Sequence, residues 1–232
     1  LICMEVNNKT APVTGQQDQN TISLDLMNRM KLHGMAEAFR ESLAGTTPQS
    51  MTADTCLSML LAREWDYRAQ AAIARLTKNA AFRYKAYIEQ VDYATNRGLD
   101  RNQMERLATL DFVHKAQNLF ITGSSGTGKS YLACALGHEA CKRGFRTLYA
   151  NATKLLGALT VAKVKGTLET ELKKIERCQL LILDDLFIVP LDAKERPILL
   201  DIIEDRHERK SIIITSQYPS SNWYDMVGDP TI

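Results

Sequence analysis

The stretch Asn118–Ala133, "NLFITGSSGTGKSYLA", decides the fold. Its apolar start reads as a short buried strand, glycines then interrupt it, and helical spacing resumes from Lys129. Between the two, Gly123, Ser124, Ser125, Gly126, Thr127, Gly128, Lys129 and Ser130 match the phosphate-loop pattern GxxxxGK[ST] in full. Glycines let successive amide N–H groups turn inward around phosphates, and the helix that follows adds the positive end of its dipole. Lys129 is expected to reach the β- and γ-phosphates, and the Ser130 hydroxyl to help hold Mg²⁺. A chance glycine-rich turn is the alternative, but the strand before and the helix after favour a site for ATP and Mg²⁺.

Downstream, "QLLILDDLF" (179–187) reads as a buried strand that ends on two acids. In an open parallel sheet the carboxyl ends of the strands meet the ligand, so the acids belong beside the phosphates. Asp184 is assigned to Mg²⁺ through water, and Asp185 to orienting or deprotonating the attacking water. Helix-capping or solvated aspartates are the competing reading. A third run, "SIIITSQ" (211–217), closes on Thr215, Ser216 and Gln217. In additional-strand P-loop ATPases such a strand lies between the phosphate-loop strand and the acidic one, and a polar residue at its tip senses the γ-phosphate. Ser216 is the choice by position; Thr215 and Gln217 stay open.

From Asn118 onward, short apolar runs alternate with helical ones, the pattern of an α/β fold with a parallel sheet and helices on both faces. Upstream the chain reads differently. Residues 1–20 are polar and without period, and are expected to be a disordered tail. Residues 21–115 read as all-helical: one amphipathic helix from Ile22 to near Gly45, a long Ala-rich one with a break around Thr77–Ala81, and a shorter one capped by Asp100. A domain boundary is expected near Ala116, with 116–232 as the nucleotide-binding core.

The long helix and the stretch after it carry Arg68, Arg75, Lys78, Arg83 and Lys85, interleaved with Tyr67, Phe82, Tyr84 and Tyr87. Cations neutralise phosphates while aromatics pack or stack, which makes this a candidate DNA contact; a solvated basic helix face is the alternative. Composition is ordinary for a globular protein: 232 residues, 45% apolar, 24% charged and a formal net charge of +2. The five cysteines are widely spaced with no CxxC pair, so no zinc or redox site is expected. No apolar run approaches the roughly 18 residues of a membrane span, and a cytoplasmic protein is expected.

With these anchors in place the chain resembles the IstB-like ATPases, transposase helpers of insertion sequences, themselves similar to the DnaC helicase loaders of the AAA+ class. The resemblance is carried by "REWDYRAQAAIARL", "NRGLDRNQMERLATLDF", "NLFITGSSGTGKSYLACALGHEACKRG", "LLILDDL" and "EDRHERKSIIITSQYPSSNWYDMVGDPTI". It implies an AAA+ core and an ATPase that assembles as a homo-oligomer with ATP at subunit interfaces, holds duplex DNA and presents it to a transposase. A non-hydrolysing, nucleotide-dependent scaffold or loader is the alternative; a small-molecule phosphotransferase lacks any recognisable acceptor motif. Family members commonly carry glycine where Phe187 stands. The resemblance also implies a lid and nucleotide-acting arginines beyond Ile232, so neither is assigned to residues of this chain. Arg206 and Arg209 either approach a neighbouring subunit or sit as solvated helix-end cations.

Overall fold

The alternation after Asn118 folds into a four-stranded, all-parallel sheet of order β1-β4-β3-β2. The computed structural model describes residues 14–45, 51–93 and 98–227. The strands are β1 (Leu119–Thr122), β2 (Thr147–Asn151), β3 (Leu180–Leu186) and β4 (Ser211–Ser216), so β4 lies between the phosphate-loop strand and the acidic one, as expected. The helices are α1 (Thr14–Arg29), α2 (His33–Leu43), α3 (Ala53–Ala80), α4 (Arg101–Ala108), α5 (Asp111–His114), α6 (Lys129–Lys142), α7 (Ala152–Val164), α8 (Leu168–Glu176), α9 (Glu195–Arg206) and α10 (Trp223–Val227).

Period-two alternation along the strands sorts two cores. Leu180, Ile182 and Ile213 face α6, where they meet Ala133, Leu136 and Ala140. Leu181, Leu183, Ile212 and Ile214 face the other way, onto Leu156 and Leu159 of α7 and Ile198, Leu199 and Ile202 of α9. Helices therefore cover both faces, and the central strands read as unbroken apolar runs because neither side meets water. Pro197 sits in the first turn of α9, where its missing donor costs nothing. Asp100 caps α4 by accepting from the Asn102 amide at 2.9 Å.

The chain divides within α3 into two compact units, Leu1–Ala71 and Ala72–Ile232, and not near Ala116. The reason is packing: Phe82, Ala86, Met104, Leu110, Phe112 and Val113 belong to the cores around α6 and the sheet. Residues 1–13 of the expected tail lie outside the described residues, and Thr14 to Asn20 are already helical. The helix expected from Ile22 to Gly45 is two, separated by a turn in which Lys31 takes a left-handed conformation (φ 59°).

In the first unit, α2 starts without a side-chain cap of its own. Glu64 of α3 supplies one, accepting from the amides of Gly34 at 2.8 Å and Met35 at 3.2 Å. The fit requires Gly34, because a Cβ there would stand 2.5 Å from the Arg63 carbonyl oxygen. No helix among the described residues is long and apolar enough to cross a membrane.

Candidate nucleotide site

The phosphate loop leaves β1 at Thr122, and the Gly123 amide donates to the Ser216 carbonyl at 3.2 Å, tying the loop to β4. Gly126 (φ 80°) and Gly128 (φ 89°) take left-handed conformations that an L side chain resists, and Gly128 is the N-cap of α6. Lys129, 7% exposed, donates its Nζ to the Ser124 carbonyl at 2.8 Å; the Thr127 hydroxyl donates to the same oxygen at 2.9 Å. The ammonium is thus held inside the loop rather than drifting into solvent.

Strand parity brings the acids to this loop. Asp184 follows Ile182 on the α6 face of β3, and Thr215 follows Ile213 on the same face of β4, with Leu183 paired to Ile214 between them. Asp184 is fully buried and accepts from the Thr215 hydroxyl at 2.6 Å and the Tyr149 phenol at 2.5 Å. Burial and the neighbouring carboxylate push the Tyr149 phenol up, so it stays a donor. The same Thr215 oxygen accepts from the Asp185 amide at 2.9 Å. The register slips between Leu183 and Leu186, a bulge that turns Asp185 (φ 60°) out toward the cleft. Burial first, then the Asp184 charge, raise the Asp185 carboxyl from its ordinary value, while Arg83 and Lys129 act to lower it.

Phe187 has φ 66° and is buried. A left-handed conformation costs a non-glycine residue roughly 1–2 kcal/mol. An edge contact with the Trp223 ring at 5.4 Å helps offset it.

A cleft of about 350 Å³ opens here, lined by Ser125, Gly126, Gly128, Lys129 and Ser130 of the loop and α6 start, by Asp185 and Gln217, and by Arg83 and Tyr84. A second cleft of about 260 Å³ shares Gly128 and Tyr131 with it and adds Val91, Leu99 and Leu132. Among the described residues no group of three His, Cys, Asp or Glu side chains is disposed to hold a metal ion. A Mg²⁺ at Ser130 and Asp184 therefore has too few protein ligands to bind by itself, which fits an ion that enters with phosphate oxygens and water.

Arg83, read from sequence as a DNA contact, lies at this cleft instead: its Nη1 is 3.5 Å from Asp185 Oδ2 and 3.8 Å from Asp184 Oδ2. After α3 ends, the chain crosses α6 as a strap. Phe82 stacks on His138 with ring centroids 4.2 Å apart and fills the space that Gly137 leaves, where a Cβ would stand 2.5 Å from its ring. Ala86 packs on Cys134 and Ala135. A long-range contact across 102 residues has no local sequence signature.

The other basic residues separate. Arg68 pairs with Glu64 at 2.6 Å, and although burial opposes its charge, that arginine and the Gly34 and Met35 amides hold the Glu64 carboxyl below its ordinary value. Arg75 lines a cleft of about 680 Å³ with Arg146, Lys174 and Arg177, at the amino end of the sheet. Lys78 and Lys85 are exposed.

At the tip of β4 the Ser216 hydroxyl donates to the Leu186 carbonyl at 2.9 Å and accepts from the Tyr218 amide at 3.2 Å, fully buried on the face away from α6. Thr215 instead shares the α6 face with Asp184, and Gln217 lines the cleft. Parity with Ile213 was the available signal, since residues two apart share a face. Arg206 is neither a solvated cation nor a reaching one: it is 1% exposed and donates to the carbonyls of Ile175, Cys178, Gln179 and Ser211. Arg209 remains exposed beside Asp205 at 3.9 Å.

Comparison with known proteins agrees with this geometry. The chain is 41% identical over 209 residues to y4pL of Sinorhizobium fredii, named as an insertion sequence ATP-binding protein, covering 90% of this chain and 85% of that one. It is 30% identical over 204 residues to the ATP-binding protein named for insertion sequence IS21 of Pseudomonas aeruginosa, covering 88% and 77%. Among solved structures the DnaC helicase loader superposes with a TM-score of 0.53 at 26% identity, covering 62% of this chain and 86% of that one. AMPPCP-bound DnaA from Aquifex aeolicus shares the fold, with a TM-score of 0.53 at 24% identity over 64% of this chain and 49% of that one. The P-loop core is thus of the AAA+ type, and with the family match running over residues 25–232, the chain belongs to the IstB-like ATP binding proteins.

Proposed function

We infer that the chain is an ATP-hydrolysing transposition helper that assembles on duplex DNA and presents it to a transposase. The observation that carries the reading is the convergence of Lys129, Ser130 and Asp185 on one cleft, with Asp184 buried next to Asp185. The loop amides and Lys129 bind the phosphates. Ser130 and Asp184 would hold Mg²⁺ together with phosphate oxygens and water, and the ion would supply charge neutralisation at the phosphates. Asp185, bulged toward the cleft and raised in pKa, orients the attacking water and takes its proton. Gln217 replaces Ser216 as the strand-tip residue that contacts the γ-phosphate, because it lines the cleft while the Ser216 hydroxyl is spent on Leu186 and Tyr218. The adjoining cleft of Val91, Leu99, Tyr131 and Leu132 takes the base, since an apolar wall with one aromatic ring suits a flat heterocycle.

The DNA-facing surface is the amino-end cleft of Arg75, Arg146, Lys174 and Arg177, whose lining contains no acid among the described residues. Such a surface neutralises backbone phosphates without reading bases. The relatives' names supply the insertion-sequence context, and with it a transposase as the partner. The reading is tested by ATP turnover and assembly size with and without duplex DNA. DNA-stimulated turnover with ATP-driven assembly supports it; assembly with no turnover under any condition points to a nucleotide-dependent scaffold.

A further inference from the structure

We propose that Arg83 is a nucleotide-contacting residue that exchanges partners: it neutralises the acid pair when no ATP is bound and moves to the γ-phosphate when ATP is bound. The inference rests on the reading of the cleft as an ATP site and deepens it.

The first partner is the acid pair. Two carboxylates on adjacent residues, one of them fully buried, repel each other unless a cation stands close. Arg83 Nη1 meets that need at 3.5 Å from Asp185 and 3.8 Å from Asp184. Both separations are looser than the close contacts of a tight, charge-assisted pair, and the Arg83 side chain is 51% exposed. Its guanidinium lies 5.2 Å from the Tyr84 ring centroid, a stacking contact it can slide along rather than a socket. The head group is therefore held by charge and by the Tyr149 phenol at the edge of the cleft, with no enclosing socket.

The backbone beneath it is held differently. Phe82 is locked between Gly137 and His138, and Ala86 is fully buried against α6. The strap keeps the Arg83 Cα at the rim of the cleft, while the half-exposed side chain is held by the acids, by Tyr84 and by the Tyr149 phenol rather than in a closed socket. Within the same cleft stand Lys129, Ser130 and Gln217, the groups that surround the phosphates.

The second partner follows from charge. A divalent cation held at Asp184 supplies the counter-charge that Arg83 had supplied, and a guanidinium beside it meets a like charge. The γ-phosphate offers two oxygens to the planar fork, the geometry arginine recognises best. ADP lacks that group, so with ADP the guanidinium gains no phosphate partner and adds nothing to the affinity. Arg83 thereby makes the cleft discriminate between the two nucleotides, and it does so from within the same subunit.

The test is the affinity of the full chain for fluorescent ATP and ADP analogues in Mg²⁺, for wild type, Arg83→Ala, Arg83→Gln and Lys129→Ala. Circular dichroism checks that each is folded. Arg83→Ala and Arg83→Gln are expected to weaken ATP roughly tenfold to a hundredfold while leaving ADP within about twofold. Equal losses for both nucleotides, or no loss for ATP, overturn the inference. So does wild-type ATP affinity in Arg83→Gln beside a loss in Arg83→Ala, because that pattern means packing and not charge. If Lys129→Ala binds ATP as wild type does, the ATP-site reading fails and takes this inference with it.

Discussion

At the carboxyl edge of the sheet cations and an anion line one cleft, Lys129 and Arg83 with Asp185, and Arg83 also approaches the buried Asp184 at 3.8 Å. At the amino edge Arg75, Arg146, Lys174 and Arg177 line a cleft with no acid in its wall, and among the described residues only Lys174 of the four has a carboxylate partner, Glu171 at 2.7 Å. On the proposed function both edges meet phosphate, but for different work. Mixed charge suits a ligand that arrives with its own metal ion and must be cleaved, because bases, donors and counter-ions all have to stand around one bond. Uniform positive charge suits a polyanion that is only held. The sheet separates the two clefts by the length of its strands, so the proposed hydrolysis and the proposed DNA contact fall at opposite ends of one core.

The amino edge also hides a cation of a third kind. Arg206, beneath the surface arginines, closes the last turn of α8 and the starts of β3 and β4 through four carbonyls. Arg206→Leu leaves those acceptors buried and unpaired. Thermal or denaturant unfolding is expected to show a loss of about 3–5 kcal/mol, the largest destabilisation expected from a single substitution at either edge. A loss under about 1 kcal/mol would mean that water reaches the carbonyls and that this end of the core is looser than its packing implies.

Thr215 tests the carboxyl edge in the same currency. Its hydroxyl serves Asp184 and the Asp185 amide at once. Thr215→Val keeps the shape and removes both bonds, so a stability loss of about 1–3 kcal/mol is expected together with a fall in ATP turnover. Ser216→Ala, which breaks only the bonds to Leu186 and Tyr218, should lower stability and leave ATP affinity near wild type. A reversed pattern would restore Ser216 as the phosphate-side residue.

The smallest expected effect belongs to the amino-edge cleft. Arg146→Ala with Arg177→Ala should weaken duplex binding several-fold, reduce the steepness of its salt dependence by close to one log unit for each phosphate left without its arginine, and leave ATP affinity unchanged. Gel-shift titration over a range of salt concentrations measures it. Unchanged slope and affinity would move the DNA surface elsewhere and end the contrast between the two edges.

Much of the carboxyl edge was legible in the sequence because its signals are local. The phosphate loop is a contiguous pattern, and the acids close an apolar run whose length matches a strand. The β4 position between β1 and β3 followed once those anchors were recognised. What was not legible depends on chain pairs far apart in sequence. Arg83 reached the acids only because Gly137 leaves room for Phe82, and Arg75 joined Arg146 and Arg177 only through the packing of the second unit. A cluster contiguous in sequence thus dispersed in space: Arg68 onto Glu64, Arg75 to one edge and Arg83 to the other. Ser216 is the choice by position with Thr215 and Gln217 left open, and the period-two pattern through Ile213 favours those two for the α6 side.

The central claim is that the carboxyl-edge cleft binds and cleaves ATP, and the most direct measurement is equilibrium ATP binding and steady-state phosphate release by wild type and Lys129→Ala. The expected result is ATP binding by wild type, weakened on the order of a hundredfold by the substitution, with phosphate release by wild type abolished in the variant. Equal ATP binding and equal phosphate release by the two proteins would contradict it.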